Sequence, residues 1–229
     1  GVTGGDTVTL HGHIDGTLTL QPRDRGRDRS EVTVRLSTAD PTFLERALKV
    51  AYLAGVTTVV LDNEEPRTAE QRRAVDRTVR ERVGMSVLEE SDATTTVQIL
   101  LDSAEVSVLQ SIRQLAFIVL SRQRTAIDSL SNTAGREEFV GRDQQADRLT
   151  SMVNRSVARG LTDLEEIDAL GATRPELFES WSVIRELECV LDAAEGVVTA
   201  AARMDDRASE TQLETSRELA REACSIVSD

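Results

Sequence analysis

The sequence predicts an α+β protein in three parts: a partial β-hairpin domain, a small βαβαββ layer domain and an antiparallel helical bundle. Three observations predict it. Apolar and polar residues alternate around turn signals over residues 1–22. Strand-like and helix-like periods alternate over 31–102. From 103 to 229 only helical periods occur. At 229 residues the chain can bury a real core, as one large domain or two to three small ones.

The elements follow in order. "TVTLHGHIDGTLTL" (7–20) holds two period-2 runs joined at Asp-Gly, a hairpin signature in which glycine supplies the positive φ. Residues 23–30, charged and free of large apolar side chains, read as a linker. "EVTVRL" (31–36) is a strand. "DPTFLERALKVAYLAG" (40–55) is a helix with an Asp cap, a Pro in its first turn and a closing Gly55. "VTTVVLD" (56–62) is a β-branched strand, and "RTAEQRRAVDRTVRERVG" (67–84) a second amphipathic helix. "MSVLEES" and "TTTVQILLD" close the layer as two strands. In the bundle, Leu109, Ile112, Ala116, Val119 and Ile127 make the stripe of a helix over 106–130. Further helices are expected at about 135–159, ending on Gly160, then at about 175–204 and 207–227; short connections favour antiparallel packing.

Composition narrows the function. The chain carries 40 acidic against 27 basic residues, a formal charge of −13, and Lys49 is its one lysine. That resembles a salt-adapted surface. Net negative charge argues against nucleic acid, although acidity kept for solubility weakens the objection. The longest apolar runs, such as "LAFIVL" (115–120), are far too short for a membrane span, so no membrane insertion is expected. No signal peptide is visible, and a start at Gly1 suggests a fragment or a processed product; the expected location is cytoplasmic. Cys189 and Cys224 form no CxxC pair and read as buried free thiols. "GVTGGD" lacks the Gly-Lys-Ser/Thr of a phosphate loop, and no nucleophile–His–acid set can be assembled. The expectation is therefore a protein that is not an enzyme. His11 and His13 face one side of a strand and read as exposed hairpin residues, with an adventitious metal pair as the alternative, and Trp181 reads as bundle core.

Two acidic pairs carry what chemistry there is. Asp143 and Asp147 in "VGRDQQADRL" (140–149), and Glu188 and Asp192 in "RELECVLDAAE" (185–195), are each one helical turn apart. With this acid content chance supplies about 7 such pairs, and the chain has seven, so spacing alone decides nothing. Position adds more. Phe139, Ala146, Leu149, Val153 and Val157 form a stripe with Asp143 at its edge, and an acid near a buried face is costly unless paired or ligated. Glu188 and Asp192 flank the stripe of Ile184, Leu187, Leu191, Ala194 and Val198. Two such helices could supply a four-carboxylate site, whose hard oxygens favour iron, manganese, magnesium or calcium over zinc; the alternative is solvated boundary charge. The column Asp206, Glu210, Glu214, Glu218 and Glu222 reads as a solvated face.

"RELECVLDAAEGV" (185–197) resembles the helix motif of the PhoU family of phosphate-uptake regulators, and "GRDQQADRL" resembles its companion motif of two acids four apart. "LERALKVAYLAGVTTVVLD" and "VGMSVLEES" resemble archaeal PhoU-type proteins, and "GDTVTLHGHIDGTLTLQP" resembles the second half of an AbrB-like (SpoVT-type) domain. The resemblance implies domains at 1–22 (partial AbrB-like hairpin), 31–102 (α/β) and 103–229 (PhoU-like bundle). It puts Asp143, Asp147, Glu188 and Asp192 at the ligand positions of a multinuclear iron, zinc or manganese cluster. It implies a regulator of phosphate uptake or phosphate-responsive transcription, a homodimer whose partner is a phosphate transporter component or sensor protein. DNA would be bound only through a complete N-terminal domain. Three departures bear on this: the basic first half of the AbrB-like domain is missing; residues 103–229 have room for one three-helix repeat plus an extra helix where the family has two repeats, so at most one cluster per chain is expected; and Cys189, Leu191 and Ala193 stand where Arg, Ala and His are common. The alternatives are a DNA-binding transcriptional regulator whose bundle only dimerises or senses a ligand, and a metal-free scaffold.

Overall fold

The computed structural model describes residues 7–14, 16–22, 31–36, 40–130, 144–203 and 209–228. The fold is mixed α+β. Its elements are β1 (Val8–Gly12), β2 (Leu18–Pro22), β3 (Glu31–Leu36), α1 (Pro41–Leu53), β4 (Thr58–Asn63), α2 (Ala69–Glu81), β5 (Met85–Glu90), β6 (Thr94–Ile99), a 3₁₀ turn (Ser103–Glu105), α3 (Val108–Ser129), α4 (Gln144–Thr162), α5 (Leu164–Leu170), α6 (Arg174–Ala202) and α7 (Glu210–Ser228). The chain divides into two compact units. One joins Gly1–Val108 with Ser151–Phe178; the other joins Leu109–Thr150 with Glu179–Asp229. The division thus does not follow the change of sequence period at 102/103, because 151–178 clusters with the α/β layer. The linker at 23–30 lies outside the described residues.

In the first unit, β1 and β2 pair antiparallel with Leu10 opposite Leu20, and Gly16 takes φ +81° in the turn. The second sheet has the order β3-β4-β6-β5; β3 and β4 are parallel and the other pairs antiparallel. Period 2 decides its faces: Val59 and Leu61 of β4 and Val97 and Ile99 of β6 point inward and are buried. They form one core with Leu44, Leu48, Ala51 and Tyr52 of α1 and Val75 of α2. Each fully buried aliphatic side chain contributes about 2 kcal/mol.

The helix ends explain the layer's boundaries. Asp40 caps α1 by accepting from the Thr42 N–H at 2.9 Å. At the far end the Gly55 N–H donates to the Tyr52 carbonyl (3.1 Å) and the Val56 N–H to the Ala51 carbonyl (3.1 Å), with Gly55 at φ +83°. This pair of bonds is a Schellman motif, whose positive φ favours glycine. Thr68 and Gln71 form a reciprocal capping box at the start of α2 (2.8 and 3.2 Å).

In the second unit, Ala126 of α3 and Ala194, Val197 and Val198 of α6 pack together. On α3 the buried line runs through Ser111, Leu115, Val119, Ala126 and Ser129, while Leu109 of the expected stripe is exposed. The apolar arc of α3 is broad, so one register shift moves its centre from 112/116 to 115/119. Ile184, Leu187 and Ala194 of α6 are buried as their stripe implies. Glu210, Glu214, Glu218 and Glu222 of α7 are exposed. Helix α4 does not stop at Gly160 but continues to Thr162. That glycine is there for space: a Cβ would come within 2.6 Å of Leu177 Cδ1.

Candidate functional site

The acidic residues come first. Asp143 lies outside the described residues. Asp147 sits in the first turn of α4, half-buried beside buried Ala146. Glu188 and Asp192 lie one turn apart on α6 and both are exposed. Helical spacing brings these two together. Their exposure removes the desolvation cost that would have called for a ligand or partner at the stripe's edge. The described members of that set, Asp147, Glu188 and Asp192, form no group that could hold a metal ion. Cys189, expected to be buried, is exposed because it follows Glu188 round the outer face of α6. Trp181 is half-buried with the Arg185 guanidinium 5.3 Å from its ring centre.

The buried charge is instead in the first unit. Arg155, on the C-terminal half of α4, is only 1% exposed. Its Nη1 donates to the Tyr52 carbonyl at 2.9 Å and the Val56 carbonyl at 2.8 Å. Its guanidinium lies 5.1 Å from the Tyr52 ring centre, a cation–π distance. One turn on, Arg159 donates to the Gly55 carbonyl at 3.2 Å and pairs with Glu166, which also accepts from the Ser103 hydroxyl. Two arginines therefore complete the C-terminus of α1, where orphan carbonyls and the negative end of the helix dipole favour cations. Burial pushes the Arg155 guanidinium down to about 10, the Arg159 charge adding and Tyr52 opposing; the group stays protonated at neutral pH. Burial likewise lowers Arg159, against the pull of Asp163. Tyr52 is raised by burial against the charges of Arg155 and Arg82, and its hydroxyl donates to the Val83 carbonyl at 3.1 Å.

A second polar corner lies at the carboxyl end of β4. The Asn63 N–H bonds the Ala93 carbonyl, the Arg67 N–H bonds the Asp92 carbonyl, and Arg67 Nη2 donates to the Ser91 carbonyl at 3.0 Å. Asn63 Oδ1, Arg67 Nε and Nη1, and Thr95 Oγ1 are buried there without a protein partner. Ordered water usually completes such groups.

The third feature corrects the reading of the two histidines. His11 is 8% exposed and His13 half-buried, and both face Asp168 of α5. His13 Nδ1 stands 3.0 Å from Asp168 Oδ1, and its Nε2 is 2.9 Å from Thr19 Oγ1. His11 Nδ1 stands 3.8 Å from Asp168 Oδ2. The period-2 argument gave their common face correctly; what faces it, a carboxylate 155 residues away, has no local signature. Helix α5 itself had signals in "TDLEEIDALG", an Asp163 cap (2.9 Å to the Glu165 N–H) and Gly171 at φ +61°, but seven residues are too few to establish a period.

No helix among the described residues is long and apolar enough to cross a membrane. No family model matches the chain, and neither a curated protein nor a solved structure matches it.

Proposed function

We propose that the chain is a non-catalytic regulator of phosphate uptake that docks a partner protein on its helical unit. Glu188 and Asp192 carry this reading. They lie in the stretch that resembles the PhoU helix motif, and both residues are exposed, one turn apart. There they can meet a cation, or the basic surface of a transporter component or sensor, directly. A formal charge of −13 favours a basic partner. A multinuclear iron, zinc or manganese cluster on Asp143, Asp147, Glu188 and Asp192 is the finer form of the proposal. Glu188 and Asp192 lie one turn apart on α6, and the carboxylates of this set would supply oxygen ligands to the ions when bound.

Deleting the gene and following uptake of labelled phosphate in phosphate-rich medium tests the regulator. Uptake that is no longer held down is the expected result, and unchanged uptake overturns it. Elemental analysis of untagged protein tests the cluster. Metal content of the parent that falls in an Asp143→Ala, Asp192→Ala double variant supports it; content that the double variant leaves unchanged means docking without this cluster. Because Asp192 is exposed, alanine there changes stability by no more than about 0.5 kcal/mol, so a functional loss in that variant is not an unfolding effect.

A further inference from the structure

We propose that His11, His13 and Asp168 form a binding site for a divalent transition-metal ion, zinc by its donor set, that clips the β1–β2 hairpin to α5. The site is independent of the carboxylates on α4 and α6. Two imidazoles and one carboxylate are a three-ligand zinc set that leaves the fourth position to water. They mix nitrogen with oxygen, which separates them from the all-oxygen set that suits magnesium or calcium.

Both imidazoles meet the same carboxylate. His11 and His13 are two apart, so the strand period places them on one face of the hairpin, and both reach Asp168 through Nδ1. In a tetrahedral site with ligand bonds of about 2.1 Å, donor atoms are about 3.4 Å from one another. The nitrogen–oxygen separations here are 3.0 and 3.8 Å, on either side of that edge length. His13 is hydrogen-bonded to one carboxylate oxygen of Asp168 and His11 Nδ1 stands beside the other, so both imidazoles border one carboxylate. Zinc-binding histidines usually donate their second N–H to an oxygen that fixes the ring. Thr19 Oγ1 holds that position at 2.9 Å from His13 Nε2. The histidines are shielded, with side chains 9% and 13% exposed, while Asp168 is the most open of the three at 32%.

The hairpin has a physical use for such a clip. Two strands alone are marginal in water. The face opposite the histidines exposes Leu10, Leu18 and Leu20 at 59–69% and so gives the hairpin little core of its own. A metal bond across 155 residues closes a long loop and couples binding to folding.

The test uses full-length, untagged protein stripped with a chelator, titrated calorimetrically with zinc and spectroscopically with cobalt(II). One equivalent of zinc and a four-coordinate cobalt spectrum are expected. Affinity should fall at least about tenfold in His13→Ala and in Asp168→Asn, the latter keeping a hydrogen-bond acceptor so that the hairpin can stay in place. Asp192→Ala and Cys189→Ser should bind as the parent does, which separates this site from the carboxylate cluster and from the exposed thiol. No uptake by the parent protein overturns the proposal. So does uptake that survives either His13→Ala or Asp168→Asn unchanged, since all three ligands are required.

Discussion

Arg155 shows what a single side chain does here. Its position, 180° round α4 from the stripe of Val153 and Val157, marks it in the sequence as a solvent residue; in the structure it is almost fully buried. A helix covered on more than one face must bury what its polar side carries, and an arginine is tolerated there if its donors find carbonyls. Replacing it with methionine keeps the bulk but leaves the Tyr52 and Val56 carbonyls without that donor. Arg155→Met should lower unfolding stability by about 3 kcal/mol in urea titrations. Tyr52→Phe removes one hydrogen bond and should lose about 1 kcal/mol near neutral pH. The two proteins should converge at alkaline pH. Tyr52 is raised in the fold, so the unfolded chain gives up this proton first; its contribution is complete below its ordinary value near 10 and fades above it. Arg155, lowered in the fold, acts in the opposite sense over the same range, and comparing the parent with Tyr52→Phe separates the two. Residue spacing was legible for the acidic pairs, whereas their burial was not. Glu188 lies only 100° from buried Leu187, and one-dimensional periodicity cannot say where that arc meets water.

Elements were most legible where local signals agreed with tertiary packing. In the α/β layer the cap at Asp40, the capping box at Thr68 and the β-branched run of β4 all point the same way, and each element forms within a few residues of its expected span. Gly84 is the strictest of these signals. It holds φ +75° before β5, and a Cβ there would come within 2.4 Å of the Leu100 carbonyl oxygen, a backbone atom that cannot step aside. Gly84→Ala should cost at least about 2 kcal/mol, read as a lowered urea midpoint with an unchanged slope. Helix α3 was placed correctly in span, with its buried face turned from the expected stripe but sharing Val119 with it. Helix α5 went unread because one and a half turns leave no pattern, yet it supplies both Glu166 and Asp168 to the contacts described above.

At the scale of the molecule, charge dominates. A net −13 spread over one chain repels itself, and salt screens that repulsion. The urea midpoint should therefore rise between about 0.05 and 1 M sodium chloride, where the Debye length falls from more than 10 to about 3 Å; a flat or falling midpoint would mean that local ion pairs outweigh net charge. The division into compact units is the part of the architecture that sequence order hides. A change from alternating to purely helical periods marks 102/103, but α4 brings Arg155 and Arg159 back to the end of α1. Long-range returns of this kind are written in no window of neighbouring residues.

That return sets an order of events. The carbonyls at the end of α1 find their arginines 99 to 104 residues downstream. During synthesis the βαβαββ layer can pair its strands and α1 can close its Schellman motif as soon as β6 has emerged, but the arginine bonds to the Tyr52, Gly55 and Val56 carbonyls wait until residue 159 leaves the ribosome. A chain cut at 102, where sequence alone would place a domain boundary, keeps the glycine cap of α1 but discards the two arginines that bind its last carbonyls and cover Tyr52.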